Sequence, residues 1–197
     1  MDEKRFQKQL DFILETDKEK KIYRQTHITG YERRENDAEH AWHMAVMIYL
    51  LKEYANEDFD VARAMTMALI HDVVEIDAGD TYAYDEAALA TKDEREKAAA
   101  ERIFGILPDD QRDELRALFE EFEAGETPEA RFARTMDNFQ PLLLNDSNGG
   151  RDWREHDVTK AQVTKRQKRS MLGSDVIWDY TSRLIDRNVE AGNIKDE

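Results

Sequence analysis

The stretch Ala68-Leu69-Ile70-His71-Asp72-Val73-Val74-Glu75 decides how this chain is read. An apolar run leads directly into adjacent His and Asp, and a Glu follows one helical turn later. Apolar residues belong in a core, and ionisable groups are costly there unless paired or bound to a cation. An imidazole nitrogen beside a carboxylate oxygen is the mixed donor set that suits divalent zinc, manganese, cobalt or iron. At about 100° per residue, His71 and Glu75 fall on one helical stripe, with Asp72 adjacent to both. A lone His-Asp dipeptide is common, so its weight depends on partners elsewhere in the chain.

Working outward, the periodicity predicts a helix from about Asp60. Val61, Met65, Ala68 and Asp72 share one stripe, and Ala64, Met67, His71 and Glu75 share its neighbour. Upstream, Asn36-Asp37-Ala38-Glu39 reads as a capping box with Asn in place of Ser or Thr. The helix it opens carries His40, Met44, Met47, Ile48 and Leu51 on one face. Residues 24–35 hold Gly30 and three arginines without a period and read as a loop. Phe6, Leu10 and Ile13 mark the face of a first helix.

Downstream of Asp77-Ala78-Gly79-Asp80 the pattern lapses through Tyr84, which predicts a loop at the mouth of a site. Thr91 to Phe104 reads as a solvated, alanine-rich helix ending at Gly105. Pro108 begins another helix, with Leu115, Leu118 and Phe119 as its apolar positions. Thr127-Pro128-Glu129 is a helix start, Thr as N-cap and Pro at the first position. That helix continues through Phe132, Met136, Phe139 and Leu143, with Asp137 inside it. Pro141 is also inside it and leaves the carbonyl of residue 137 without its helical partner. Residues 145–151 read as a loop, and 159–170 and 174–191 as two closing helices, the second with Ile177, Tyr180 and Leu184 inward. No strand pair, repeat or linker is legible. The expected architecture is one all-α domain over residues 1–197, its motif-bearing core at about 24–146 and the closing helices packed on it.

Composition narrows the function classes. The chain has 197 residues, long enough for a real core. A net charge of -15 argues against nonspecific binding to nucleic acid or to an anionic membrane. An anionic substrate then needs a local cation. No apolar run reaches the roughly 18 residues of a membrane span, and no signal peptide heads the chain. Without cysteine, disulfides and thiolate metal sites are excluded. The expectation is a soluble cytoplasmic protein.

Four candidate ligands stand on three separate helices: His40, then His71 and Asp72, then Asp137. A helical bundle can aim all four at one centre. This H…HD…D order resembles the HD-domain superfamily of metal-dependent phosphohydrolases, and within it the 5'-deoxynucleotidases of the YfbR type. The text that carries the resemblance is Glu35-Asn36-Asp37-Ala38-Glu39-His40, then His71-Asp72-Val73-Val74-Glu75-Ile76-Asp77-Ala78-Gly79-Asp80, then the run from Thr127 to Asp137. The resemblance implies an all-α HD fold and His40, His71, Asp72 and Asp137 as ligands of one divalent ion: cobalt, manganese, zinc, iron or magnesium. It implies Glu75 as the acid/base residue, Asp80 as a second acid in contact with substrate, and Arg24 as the phosphate-binding residue. Gln25 stands where the family has Trp, and the spacing from Arg24 to His40 is one residue longer. The choice between deoxyribose and ribose therefore stays open. The implied reaction is hydrolysis of a nucleoside 5'-monophosphate to nucleoside and phosphate, and the implied assembly is a homodimer.

Blander readings stand beside this one. A single His on an apolar face is more often a hydrogen-bonded core residue than a ligand. Asp after Gly, as at Asp80, is commonly a turn residue. His43 reads as a supporting or surface group, His27 and His156 have no motif around them, and Trp42, Trp153 and Trp178 read as packing residues. The alternative functions are hydrolysis of another phosphate ester, a cyclic dinucleotide or a triphosphate, and a non-catalytic nucleotide sensor. Val-Val-Glu after His-Asp departs from the Gly and Lys of cyclic-dinucleotide phosphodiesterases, and five histidines in the whole chain are too few for di-iron oxygenase chemistry.

Overall fold

The computed structural model describes residues 2–81 and 90–197. Tyr84, expected in a loop at the mouth of the site, lies outside the described residues. Helix α1, Glu3–Thr16, starts at Asp2, whose carboxylate accepts the N–H groups of Lys4 and Arg5. Its buried residue is Phe12, while Phe6 and Ile13 are exposed, so the predicted inward face of α1 is displaced. A tight turn over Asp17–Lys21 follows.

Residues 24–35, expected to be a loop without strands, contain a small antiparallel hairpin. Strand β1 (Tyr23–His27) pairs with β2 (Arg34–Asn36), Tyr23 opposite Asn36 and His27 opposite Arg34. Polar anchors hold it, which explains why no apolar alternation betrayed it. Asp152 accepts the His27 N–H at 3.0 Å and meets His27 Nδ1 at 2.7 Å. The Asn148 amide donates to the carbonyls of His27 and Ile28 and accepts from the Gly30 N–H.

Helix α2, Asp37–Leu51, opens with the predicted capping box: Asn36 accepts the Glu39 N–H, and Glu39 accepts the Asn36 N–H. Helix α3, Val61–Ile70, is capped by Asp60 through the Arg63 N–H. It does not run on through Glu75 as its periodicity suggests. The N–H groups of Val73, Glu75, Ile76 and Asp77 each bond three residues back, and a short helix α4, Glu75–Ala78, follows. Such tightening turns the chain by about 120° per residue and aligns i with i+3. Glu75 thereby shares a side with Asp72, and His71 is left facing elsewhere.

Helix α5 is Lys92–Phe104, and it is not solvated throughout as expected: Ala98 is exposed, but its other two alanines are not. Ala99, Ala100, Ile103 and Phe104 are buried, with Glu96, because small residues let the helix approach α4 and α1 closely. Helix α6, Asp109–Ala124, buries Leu118, Phe119 and Phe122. Helix α7, Pro128–Ser147, begins at Thr127, whose hydroxyl accepts the Ala130 N–H. It extends into the segment expected to be a loop, since Asn145 and Ser147 bond back to the carbonyls of Pro141 and Leu144. Gly149 and Gly150, at φ +65° and +69°, then end it, and α8, Arg151–Glu155, follows at once. Helices α9 (Lys160–Gln167) and α10 (Asp175–Glu190) close the chain. Ile177 and Leu184 of α10 are buried as expected, but Tyr180 is exposed, edge-on to Phe139. Trp153 packs in the interior, whereas Trp42 stands in solvent.

The centre of the molecule is the three-helix contact of α2, α3 and α7. Met44, Ile48, Ala64, Met67, Ala68, Ala133 and Met136 meet there without solvent exposure. Among the described residues the fold is all-α apart from the small hairpin and one isolated bridge between Thr159 and Lys195. Helices α2 and α7 carry His40 and Asp137, and His71 and Asp72 follow directly on the end of α3.

Candidate metal centre

His40, His71 and Asp72 offer ligand atoms that lie within 4.8 Å of one another, all buried. Asp137 joins them: its Oδ1 is 3.2 Å from His40 Nε2 and 3.9 Å from His71 Nε2. The imidazole rings face each other with centroids 5.6 Å apart. All four predicted ligands are thus brought together, from α2, from the end of α3 and from α7.

Hydrogen bonds fix which nitrogen each ring presents. His71 Nδ1 meets the Ala68 carbonyl at 2.8 Å. A carbonyl only accepts, so Nδ1 carries the hydrogen and Nε2 keeps its lone pair. His40 Nδ1 is 3.0 Å from Gln140 Oε1. The Gln140 amide nitrogen donates to Glu35 at 2.6 Å and lies 3.1 Å from His43 Nδ1, which sets its carbonyl toward His40. Both rings therefore turn Nε2 to the centre, with the far nitrogen tethered as metal-binding imidazoles require. His71 Nε2 is buried without a hydrogen-bond partner among the described residues, although Asp72 Oδ2 is 3.1 Å away. An orphaned lone pair beside a second imidazole and two carboxylates fits a divalent cation with bonds of about 2.0–2.2 Å.

The carboxylates fall into two sets. Burial alone would raise Asp72, but His71 and Arg24 hold it well below the usual range. Burial likewise opposes ionisation of Asp137, and the His40 hydrogen bond together with Arg166 and His71 overcomes it. Burial and Arg24 disfavour a charged His40, yet Asp137 and Glu35 lift it to about 9. On the other side, burial next to Asp72 and Asp37 pushes Glu75 well above the carboxylate range. Burial and Asp72 push Asp37 to about 7, and burial with Asp72 and Asp37 pushes Glu19 to about 8. Burial also raises Asp80, against the pull of Arg24.

Glu75 sits with Asp72 and Asp37, their oxygens within 4.8 Å of one another, and its Oε2 has no hydrogen-bond partner among the described residues. Arg24 reaches in from β1, with Nη1 2.8 Å from Asp72 Oδ2 and 3.4 Å from Asp37 Oδ1. Arg24 and Asp80 line a cleft with Asn138, Trp153 and Arg166. Every residue nominated from sequence is therefore in or beside one cluster. Asp37, Glu19, Gln140 and Arg166 were not nominated. Asp37 precedes His40 by three, and Gln140 follows Asp137 by three, spacings that place each on its ligand's side of the helix. Phe122 packs on the His71 ring at 4.8 Å and walls the centre from α6.

Comparison with known proteins bears on the fold and the family. The HD domain family profile matches residues 16–178. A crystal structure of a predicted metal-dependent phosphohydrolase from Magnetospirillum magnetotacticum MS-1 is 49% identical, with a TM-score of 0.93, covering 98% of this chain and 96% of that one. The 5'-deoxynucleotidase HDDC2 of Xenopus laevis is 36% identical over 62% of this chain and 57% of its own length. That of Homo sapiens is 34% identical over 57% of this chain and 53% of its own length. The match thus spans little more than half the length of these curated relatives. With the family profile covering most of its length, the chain belongs to the HD-domain family.

Proposed function

We propose that this chain hydrolyses phosphomonoesters, with nucleoside 5'-monophosphates as substrates and nucleoside and phosphate as products. The reading assigns His40, His71, Asp72 and Asp137 as ligands of a divalent ion, cobalt, manganese, zinc, iron or magnesium, since this donor set accommodates each. The observation that carries it is the buried Nε2 of His71, without a hydrogen-bond partner among the described residues and turned toward His40 and Asp137. The names of the HDDC2 relatives support the choice of nucleotide substrate.

When bound, the ion supplies Lewis-acid polarisation of a phosphate oxygen and makes hydroxide accessible from water near neutral pH. The chain's own groups do the rest. Glu75, in its ionised form, takes the proton of the attacking water at Oε2, and burial beside Asp72 and Asp37 raises the basicity of that ionised form. Asp80, also shifted up, donates a proton to the leaving 5'-oxygen. Arg24 keeps guanidinium N–H groups beyond those facing Asp72 and Asp37 and directs them at the phosphate. Phe122 shields the His71 side from bulk water, where charge interactions gain strength.

No described helix is long and apolar enough to cross a membrane. We place the protein in the cytoplasm as a homodimer, with the exposed Met171, Leu172 and Val176 beside α10 as its apolar contact. The test is phosphate release from a panel of nucleoside 5'- and 3'-monophosphates, cyclic dinucleotides and triphosphates, with and without added Mn²⁺ or Co²⁺. Metal-dependent release from 5'-monophosphates is expected. Nucleotide binding without release would favour a sensor, and release from only the other esters would reassign the substrate.

A further inference from the structure

Each carboxylate of the candidate metal centre faces its own arginine, and the two arginines come from opposite parts of the chain. Arg24 approaches Asp72 from β1 at 2.8 Å, and Arg166 approaches Asp137 Oδ2 from the last turn of α9 at 3.7 Å. Both line the same cleft, as does Asp80. Their states differ. The Arg24 side chain is 12% exposed and hydrogen-bonded to two acids, whereas that of Arg166 is 36% exposed. Arg166 makes one ion pair, beyond hydrogen-bond length, and no hydrogen bond among the described residues. The pair acts through charge alone, without a hydrogen bond that would hold the guanidinium in place. A guanidinium with its donor fork uncommitted, beside a cation centre and in an otherwise acidic protein, is a group suited to a bidentate oxyanion.

We infer that Arg166 is a second phosphate-binding residue, gripping the substrate phosphate from the side of the centre opposite Arg24. The inference rests on the phosphomonoesterase reading above. The site would take the phosphate of a monoester in its dianionic form, held between two arginine forks over the Asp72–Asp137 pair. Arg24, fixed by Asp72 and Asp37, sets the position of the phosphate, and Arg166, whose guanidinium has no side-chain hydrogen bond among the described residues, closes on it.

The experiment is titration of inorganic phosphate into the full-length, Mn²⁺-loaded protein by calorimetry, for wild type, Arg166→Gln, Arg166→Lys and Lys165→Gln. Lys165 is exposed on the same helix and outside the cleft lining, so its variant removes one charge without touching the grip. Arg166→Gln is expected to weaken phosphate binding about tenfold or more, the scale of a hydrogen bond to a charged group. Arg166→Lys should fall between, and Lys165→Gln should stay within about twofold of wild type. In turnover, KM for the nucleotide should rise by the same factor as the phosphate Kd, with kcat changed less. Mn²⁺ affinity should not fall in Arg166→Gln, because the loss of a neighbouring positive charge does not repel a cation.

Unchanged phosphate affinity in Arg166→Gln would overturn the inference. So would an equal loss in Lys165→Gln, which would mark a general field effect, or a parallel loss of Mn²⁺, which would mean that Arg166 acts through Asp137. If wild type releases phosphate from no nucleotide, the phosphomonoesterase reading fails, and the phosphate titration still judges Arg166 on its own.

Discussion

The imidazole side and the acid side of this one buried cluster hold their carboxylates in opposite states. Asp72 and Asp137, beside His40, His71 and two arginines, are held ionised despite burial. Glu75, Asp37 and Glu19 are buried like Asp72 and are pushed toward their neutral forms. Residue type does not distinguish the sets, since both contain Asp. Cationic neighbours do, as in enzymes that keep one carboxyl charged and another proton-bearing at a single site. The ionised pair is suited to hold a cation, and the neutral-leaning set is suited to move protons.

The sharpest way to break this contrast is to remove one member from each side. Asp137→Asn should lose both the metal and phosphate release, leaving turnover at background. Metal analysis after dialysis and a phosphate assay check it, and a fully loaded, active variant would end the assignment. Glu75→Gln should keep its metal and lose kcat by about 10²–10⁴-fold, the usual scale of a lost general base. Full activity in that variant would remove Glu75 from the mechanism.

Smaller effects refine the picture. Gln140→Leu removes the carbonyl that fixes His40 Nδ1 and should weaken metal affinity about 10–100-fold, as lost supporting hydrogen bonds to metal-binding imidazoles do. A metal titration unchanged from wild type would show that His40 needs no tether. Glu19→Gln should instead stabilise the metal-free protein. Glu19 has its folded pKa raised from 4.5 to about 8, so the folded state binds more protons than the unfolded chain between those values. Stability from this group therefore falls as pH rises from about 4.5 to 8. The variant's gain should be absent near pH 4 and on the order of 3 kcal/mol near pH 8. Urea denaturation at the two pH values checks it, and an equal gain at both would show that Glu19 does not titrate in this window.

Much of the candidate site was legible because the residues proposed as ligands sit in strongly patterned text. His40 follows a capping box, Asp137 lies in a helix announced by Thr127-Pro128, and His71-Asp72 ends an apolar run. The hairpin over residues 23–36 was not legible, because Asp152 and Asn148 hold it rather than its own alternation. Nor was the tightened turn after Ile70, where hydrogen bonds to the third residue back replace a regular helix in an unbroken apolar pattern. That turn moves Glu75 from the stripe of His71 to the company of Asp72 and Asp37. Asp37 was hidden in plain sight: the first turn of a helix favours acids for its dipole, which accounts for an Asp there without any site. Arg166 carries no local signal, since only the packing of α9 against α7 brings it to Asp137.

Cobalt titration of the metal-free protein, followed by visible absorption, tests the central claim most directly. Two imidazoles and two carboxylates around Co²⁺ should give ligand-field bands that saturate in wild type and are lost in both His71→Ala and Asp137→Asn. Absence of such bands in wild type, or bands of equal strength in Asp137→Asn, would contradict the assignment of this cluster as a metal centre.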